Sequence, residues 1–152
     1  MAKSSVSKKT SIGVPRSAVA APTTVTAQDF FSGLIAALKL ETTNQEAPQF
    51  RADKRLNEAI LEAFVEFTNQ AQKTNCRPLF HIKLDPVYGD SETISAGLAS
   101  ASGRNLIRFF NPTYAGFDLK LSEQQARHYL SNQQEGEKPY RLAAKKLLTL
   151  IS

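Results

Sequence analysis

From Thr26 onward, apolar residues recur at helical spacing. Phe30, Phe31, Leu34, Ile35 and Leu38 follow the three-to-four repeat of a helix that buries one face. Thr26, with Asp29 three residues later, is a capping pair that sets the helix start. The polar stretch 41–50, which contains Pro48, predicts a loop. The pattern then predicts a longer helix over 52–74. Its dry face carries Leu56, Ile60, Phe64, Phe67 and Ala71, with Ala63 beside them, and Asp53, Glu58, Glu62 and Glu66 lie around the polar side.

After Pro78 the period changes from near four to two. Phe80, Ile82 and Leu84 alternate with His81 and Lys83, which predicts a strand over 79–84 with one dry face. Residues 85–90 read as a turn. Residues 92–101 carry both signals. Ser91 as a cap, with Ile94 and Leu98 four apart, suits a short helix, whereas Thr93–Ile94 and Gly97 suit an edge strand, and the strand is the reading adopted. Residues 105–110 are branched and aromatic, as strands prefer. Residues 117–121 alternate Phe117, Leu119 and Leu121 with Asp118 and Lys120.

Ser122 and Gln125 form a capping-box pattern before a helix over 123–132. Pro139 opens a last helix, with Leu142, Leu147 and Leu150 toward one side. The fold class that follows is α+β: a small antiparallel β-meander flanked by two N-terminal and two C-terminal helices. The domain organisation is a basic flexible arm over 1–25 and a single domain over 26–152. The arm has no periodic apolar face and cannot offset the entropy of ordering.

Charge refines this picture. The net charge is +5, but residues 1–28 carry Lys3, Lys8, Lys9 and Arg16 with no acid. Residues 138–152 carry Lys138, Arg141, Lys145 and Lys146, again with no acid. The stretch between them has eleven basic against fourteen acidic residues. An anionic partner would therefore be gripped by the two ends. The lone cysteine, Cys76, points to a reducing compartment and leaves no thiolate set for zinc. No apolar run approaches the roughly 20 residues of a membrane span, and no secretory signal is apparent. The serines and Arg16 of the acid-free start resemble a transit peptide in composition, but Pro15 and Pro22 fit one continuous helix poorly. A cytoplasmic location without membrane attachment is expected.

Candidate chemistry is sparse. No phosphate-cradling glycine loop, zinc-protease, serine-hydrolase or calcium-loop pattern is present, so no cofactor is expected. The two histidines, His81 and His128, lie far apart in sequence. Asp85, Asp90 and Glu92 follow the first expected strand, and Asp118-x-Lys120 lies on the last. Acids that bind Mg²⁺ beside a lysine that stabilises charge at the attacking oxygen are the working parts of one nuclease class. Asp85, Asp118 and Lys120 are its candidates here, and Glu66 could complete the set. A charged, solvated strand face gives the same residues. Arg104, Arg108, Phe109, Phe110, Tyr114 and Phe117 mix basic and aromatic groups as single-strand binders do. The plainer reading is core aromatics on a strand.

Three function classes follow. The first is a non-catalytic structural or accessory subunit of an assembly, with other protein subunits as partners. DNA or RNA backbone would be held by Lys3, Lys8, Lys9, Arg16, Arg104, Arg108, Lys145 and Lys146. The second is a protein-binding regulatory module, which predicts an exposed apolar patch. The third is the metal-dependent nuclease.

Overall fold

The computed structural model describes residues 21–44, 49–110 and 115–152. A short strand, β1 (Thr23–Val25), leads into α1 (Ala27–Glu41); β2 (Gln49–Arg51) and α2 (Lys54–Gln72) follow. Next come β3 (Cys76–Pro78), α3 (Glu92–Gly103), β4 (Ile107–Phe109) and β5 (Gly116–Leu119). The chain ends with α4 (Glu123–Ser131) and α5 (Lys138–Ile151). The α+β class stands, with α3 as a fifth helix between the strands.

α1 is the centre of the core. Ten consecutive residues but for Lys39, from Phe30 to Leu40, are buried, as expected of a helix that is apolar nearly all round. It packs against α3, α4 and α5, while α2 lies along α5. The Phe30 ring contacts the rings of Phe31, Phe64, Phe67 and Phe80 at centroid distances of 5.1–5.6 Å, the spacing of attractive aromatic pairs. The caps are as the sequence predicts. Thr26 accepts from the Asp29 N–H, and Ser122 and Gln125 form a reciprocal capping box.

The strands depart from the expected meander. β4 and β5 pair antiparallel, but their third strand is β2, from the segment read as a loop. The order is β2-β5-β4, and Phe50 stacks on Phe117 with centroids 5.4 Å apart. A separate parallel pair joins β1 to β3. Thr23–Val25, assigned from sequence to the arm, thus belongs to the folded body, and Val25 is buried.

The 92–101 strand reading is also corrected. Ser91 caps α3 by accepting from the Ile94 N–H at 3.2 Å. Gly97, taken as a strand signal, sits where α3 meets α1, and a Cβ there would overlap the Phe31 ring. Phe64 and Leu142 are only partly buried, and Leu150 is exposed, whereas Tyr140, Ala143, Ala144 and Leu147 form the buried face of α5.

Candidate functional site

β3 ends at Pro78 because its partner ends. β1 gives way to α1 after Val25, and the Leu79 N–H makes the last bond, to the Val25 carbonyl at 2.9 Å. Burial nevertheless continues to alternate: Ile82 is buried, Phe80 and Leu84 half-buried, and Leu79, His81 and Lys83 exposed. The expected side-chain pattern of 79–84 is present without a ladder. Among the described residues, no backbone hydrogen bond reaches residues 80–84. A row of unpaired peptide groups is a template for another strand.

The turn that follows is tightly held. Asp85 Oδ1 accepts from the N–H groups of Val87 and Tyr88, both at 2.8 Å. The Asp85 N–H donates to the Asp90 carbonyl, and its own carbonyl accepts from Gly89, again at 2.8 Å. Asn57 Nδ2 donates to the Gly89 carbonyl at 3.0 Å. Gly89 has φ of +72°, a conformation glycine adopts without steric cost. The two amide bonds, Tyr88 first, hold the Asp85 carboxyl below its ordinary range. The product of this scaffold is a display: Val87 is 72% and Tyr88 78% exposed, with Leu79 at 58% upstream. A cleft of about 510 Å³ beside the turn is lined by His81, Lys83, Asp90 and Glu92, among others.

This accounts for Asp85 as the residue that shapes the turn. Asp90 and Glu92 share its cleft, but Asp118 and Lys120 do not line it. Asp118 Oδ2 instead accepts from Arg108 Nη2 at 2.9 Å across the β4–β5 pair, and Lys120 is exposed. Among the described residues, no group of three or more His, Cys, Asp or Glu is placed to hold a metal ion. The candidate acids are therefore not gathered into one centre.

The basic and aromatic candidates are similarly dispersed. Phe109 and Phe117 pack against each other at 5.9 Å, Phe117 is buried and Phe109 partly so. Arg104 is half-buried, and its Nη1 donates to Ser32 Oγ at 2.6 Å. On α5, Arg141 is bound to Glu41 at 2.5 Å and Glu137 at 2.7 Å. Lys138, Lys145 and Lys146 are exposed. Lys3, Lys8, Lys9, Arg16 and Tyr114 lie outside the described residues.

Comparison with protein-family models, curated proteins and solved structures finds no match to this chain. No helix among the described residues is long and apolar enough to cross a membrane. Val87 and Tyr88 were legible as an anomaly: a six-residue turn, DPVYGD, gains nothing locally from two large apolar residues. Their projection outward follows from bonds of Asp85 and Asn57 that spacing alone does not reveal.

Proposed function

We propose that this chain is a non-catalytic accessory subunit of a macromolecular assembly, and that it takes up another protein along residues 79–88. The observation that carries this reading is the outward display of Val87 and Tyr88 on a turn held by Asp85 and Asn57. Isolated exposed apolar residues are ordinary. Here three lie close together in sequence on and beside a fixed turn, next to unpaired backbone. Tyrosine is enriched at interface centres because it adds area with few rotamers. An incoming extended segment would bond to the peptide groups of 80–84 and seat a side chain beside Leu79 or Tyr88.

The test is the double substitution Val87→Ser with Tyr88→Ser, compared with the wild type in the purified native complex. Both side chains are exposed, so the circular dichroism spectrum and melting temperature should stay unchanged while the protein partner is lost. Retention of the partner at wild-type stoichiometry contradicts the reading.

A second reading rests on Lys138, Lys145 and Lys146. They are exposed on a stretch without acids once Arg141 is engaged by its glutamates. It assigns them to nucleic-acid backbone. Its signature is binding to DNA or RNA that weakens steeply with salt, with a log-log slope near −0.9 per duplex phosphate contacted. Lys145→Glu with Lys146→Glu would flatten that slope, whereas the Val87/Tyr88 variant would leave it unchanged.

A further inference from the structure

The surface along 79–88 has a charged side as well as an apolar one. Burial alternates along 79–84, so Leu79, His81 and Lys83 are exposed while Ile82 is buried. A strand added beside 80–84 aligns its side chains with these, and every second one stands on the face of His81 and Lys83. The same two residues line the cleft of about 510 Å³ beside the turn, together with Asp85, Asp90 and Glu92. Its walls thus carry three carboxylates against one ammonium and the His81 imidazole. Lys54, whose stem lies against Gly89, is not among them.

The three acids are not equally free. Asp85 Oδ1 accepts from the amides of Val87 and Tyr88, and the positive start of α3 offsets part of the Glu92 charge. Asp90 is exposed, and among the described residues its carboxylate makes no hydrogen bond or ion pair. Lys83 forms no salt bridge with any of the three among the described residues. The cleft therefore keeps an excess of negative charge beside the backbone that an incoming strand would use.

That charge selects the occupant. Two copies of this chain paired through 80–84 would bring two clefts of the same sign together, which costs Coulomb energy. A wholly apolar strand would strip water from the carboxylates without pairing them. We infer that the segment received here is an extended stretch of a partner protein with lysine or arginine at alternate positions, its cationic groups standing over Asp90 and Glu92. This rests on the docking proposed above and names the chemistry of what docks.

The test uses the full-length protein and capped hexapeptides in which valine alternates with lysine, threonine or glutamate. Binding is read from the backbone amide shifts of residues 80–84 in NMR titrations at low salt. The lysine peptide should bind roughly three- to tenfold more tightly than the threonine peptide, and the glutamate peptide more weakly than either. Added salt should bring the three together. Asp90→Asn with Glu92→Gln should remove the preference for lysine and leave the threonine peptide's affinity unchanged. Val87→Ser with Tyr88→Ser should weaken the lysine and threonine peptides alike and preserve their ratio. Equal affinity for these two peptides in the wild type, or a preference that survives the Asp90 and Glu92 substitutions, overturns the inference and leaves the docking reading standing. If no peptide moves the amides of 80–84, the docking reading itself fails. Lys3→Gln, Lys8→Gln, Lys9→Gln and Arg16→Gln together, in the full chain, should leave lysine-peptide binding unchanged. Tighter binding by that variant would assign the surface to the chain's own basic start and overturn the inference.

Discussion

Cys76, Glu135 and Tyr140 show how single residues set the limits of this fold. Cys76 and Tyr140 are buried, and Glu135 accepts from the Tyr140 hydroxyl in the same interior. Burial, and then the Glu135 charge, pushes the Cys76 thiol from 9.0 up to about 11. Burial pushes the Tyr140 hydroxyl up as well, helped by its bond to Glu135. Both groups therefore stay protonated in the folded chain at a pH where the unfolded chain has ionised them. The stability tied to Cys76 is complete below pH 9.0 and is lost as pH rises to about 11. It amounts to about 2–3 kcal/mol. Urea midpoints measured across this range should fall steadily, and a flat profile would show that neither group is held neutral. The same burial makes Cys76 a poor nucleophile.

At the scale of elements, the sequence is legible where one helix carries its own signals. Thr26 and Ser122 each cap as their identity and spacing predict, whereas Asp53, read from sequence as a polar residue of the helix's first turn, is the N-cap of α2. The strands are not legible in this way, because their partners are distant. Phe50 pairs with Phe117 across 67 residues, and nothing in QFR announces it. The 79–84 segment has the right alternation, but β1 turns into a helix before it could pair that far. Gly97 misled because a lone glycine in an apolar run signals either a strand kink or a close helix crossing, and only packing distinguishes them. Since its Cβ position is taken by the Phe31 ring, Gly97→Ala should destabilise the protein by about 1–3 kcal/mol through overpacking, despite alanine's better helix propensity. Chemical denaturation measures this, and a stabilised variant would mean that α3 does not press on α1. The proposed docking surface was less legible still. Asp85 was noticed as an acid and not as a turn former, and Arg104 as a nucleic-acid contact and not as the half-buried donor to Ser32.

For the whole molecule, one hydrophobic cluster runs from Val25 to Leu147, so the folded unit starts before the boundary at residue 26. A chain beginning at residue 26 loses the β1–β3 pair and the buried Val25 side chain. It should melt several degrees below one beginning at residue 21, since about 1–2 kcal/mol moves a domain of this size by that amount. Equal melting temperatures would make β1 dispensable. Around this core, the two surfaces that stand out differ in kind. One is a polar cleft lined by α1 and the α4–α5 connection, and the other an apolar turn beside backbone that makes no backbone hydrogen bond among the described residues. The central claim concerns the second. Hydrogen–deuterium exchange, compared between the free protein and its native assembly, reads the amides of residues 80–84 directly. The account predicts fast exchange in the free chain, because these amides have no backbone acceptor among the described residues, and strong protection in the assembly, together with burial of Tyr88. Fast exchange in both states, with protection confined to the segment around Lys145 and Lys146, would contradict it.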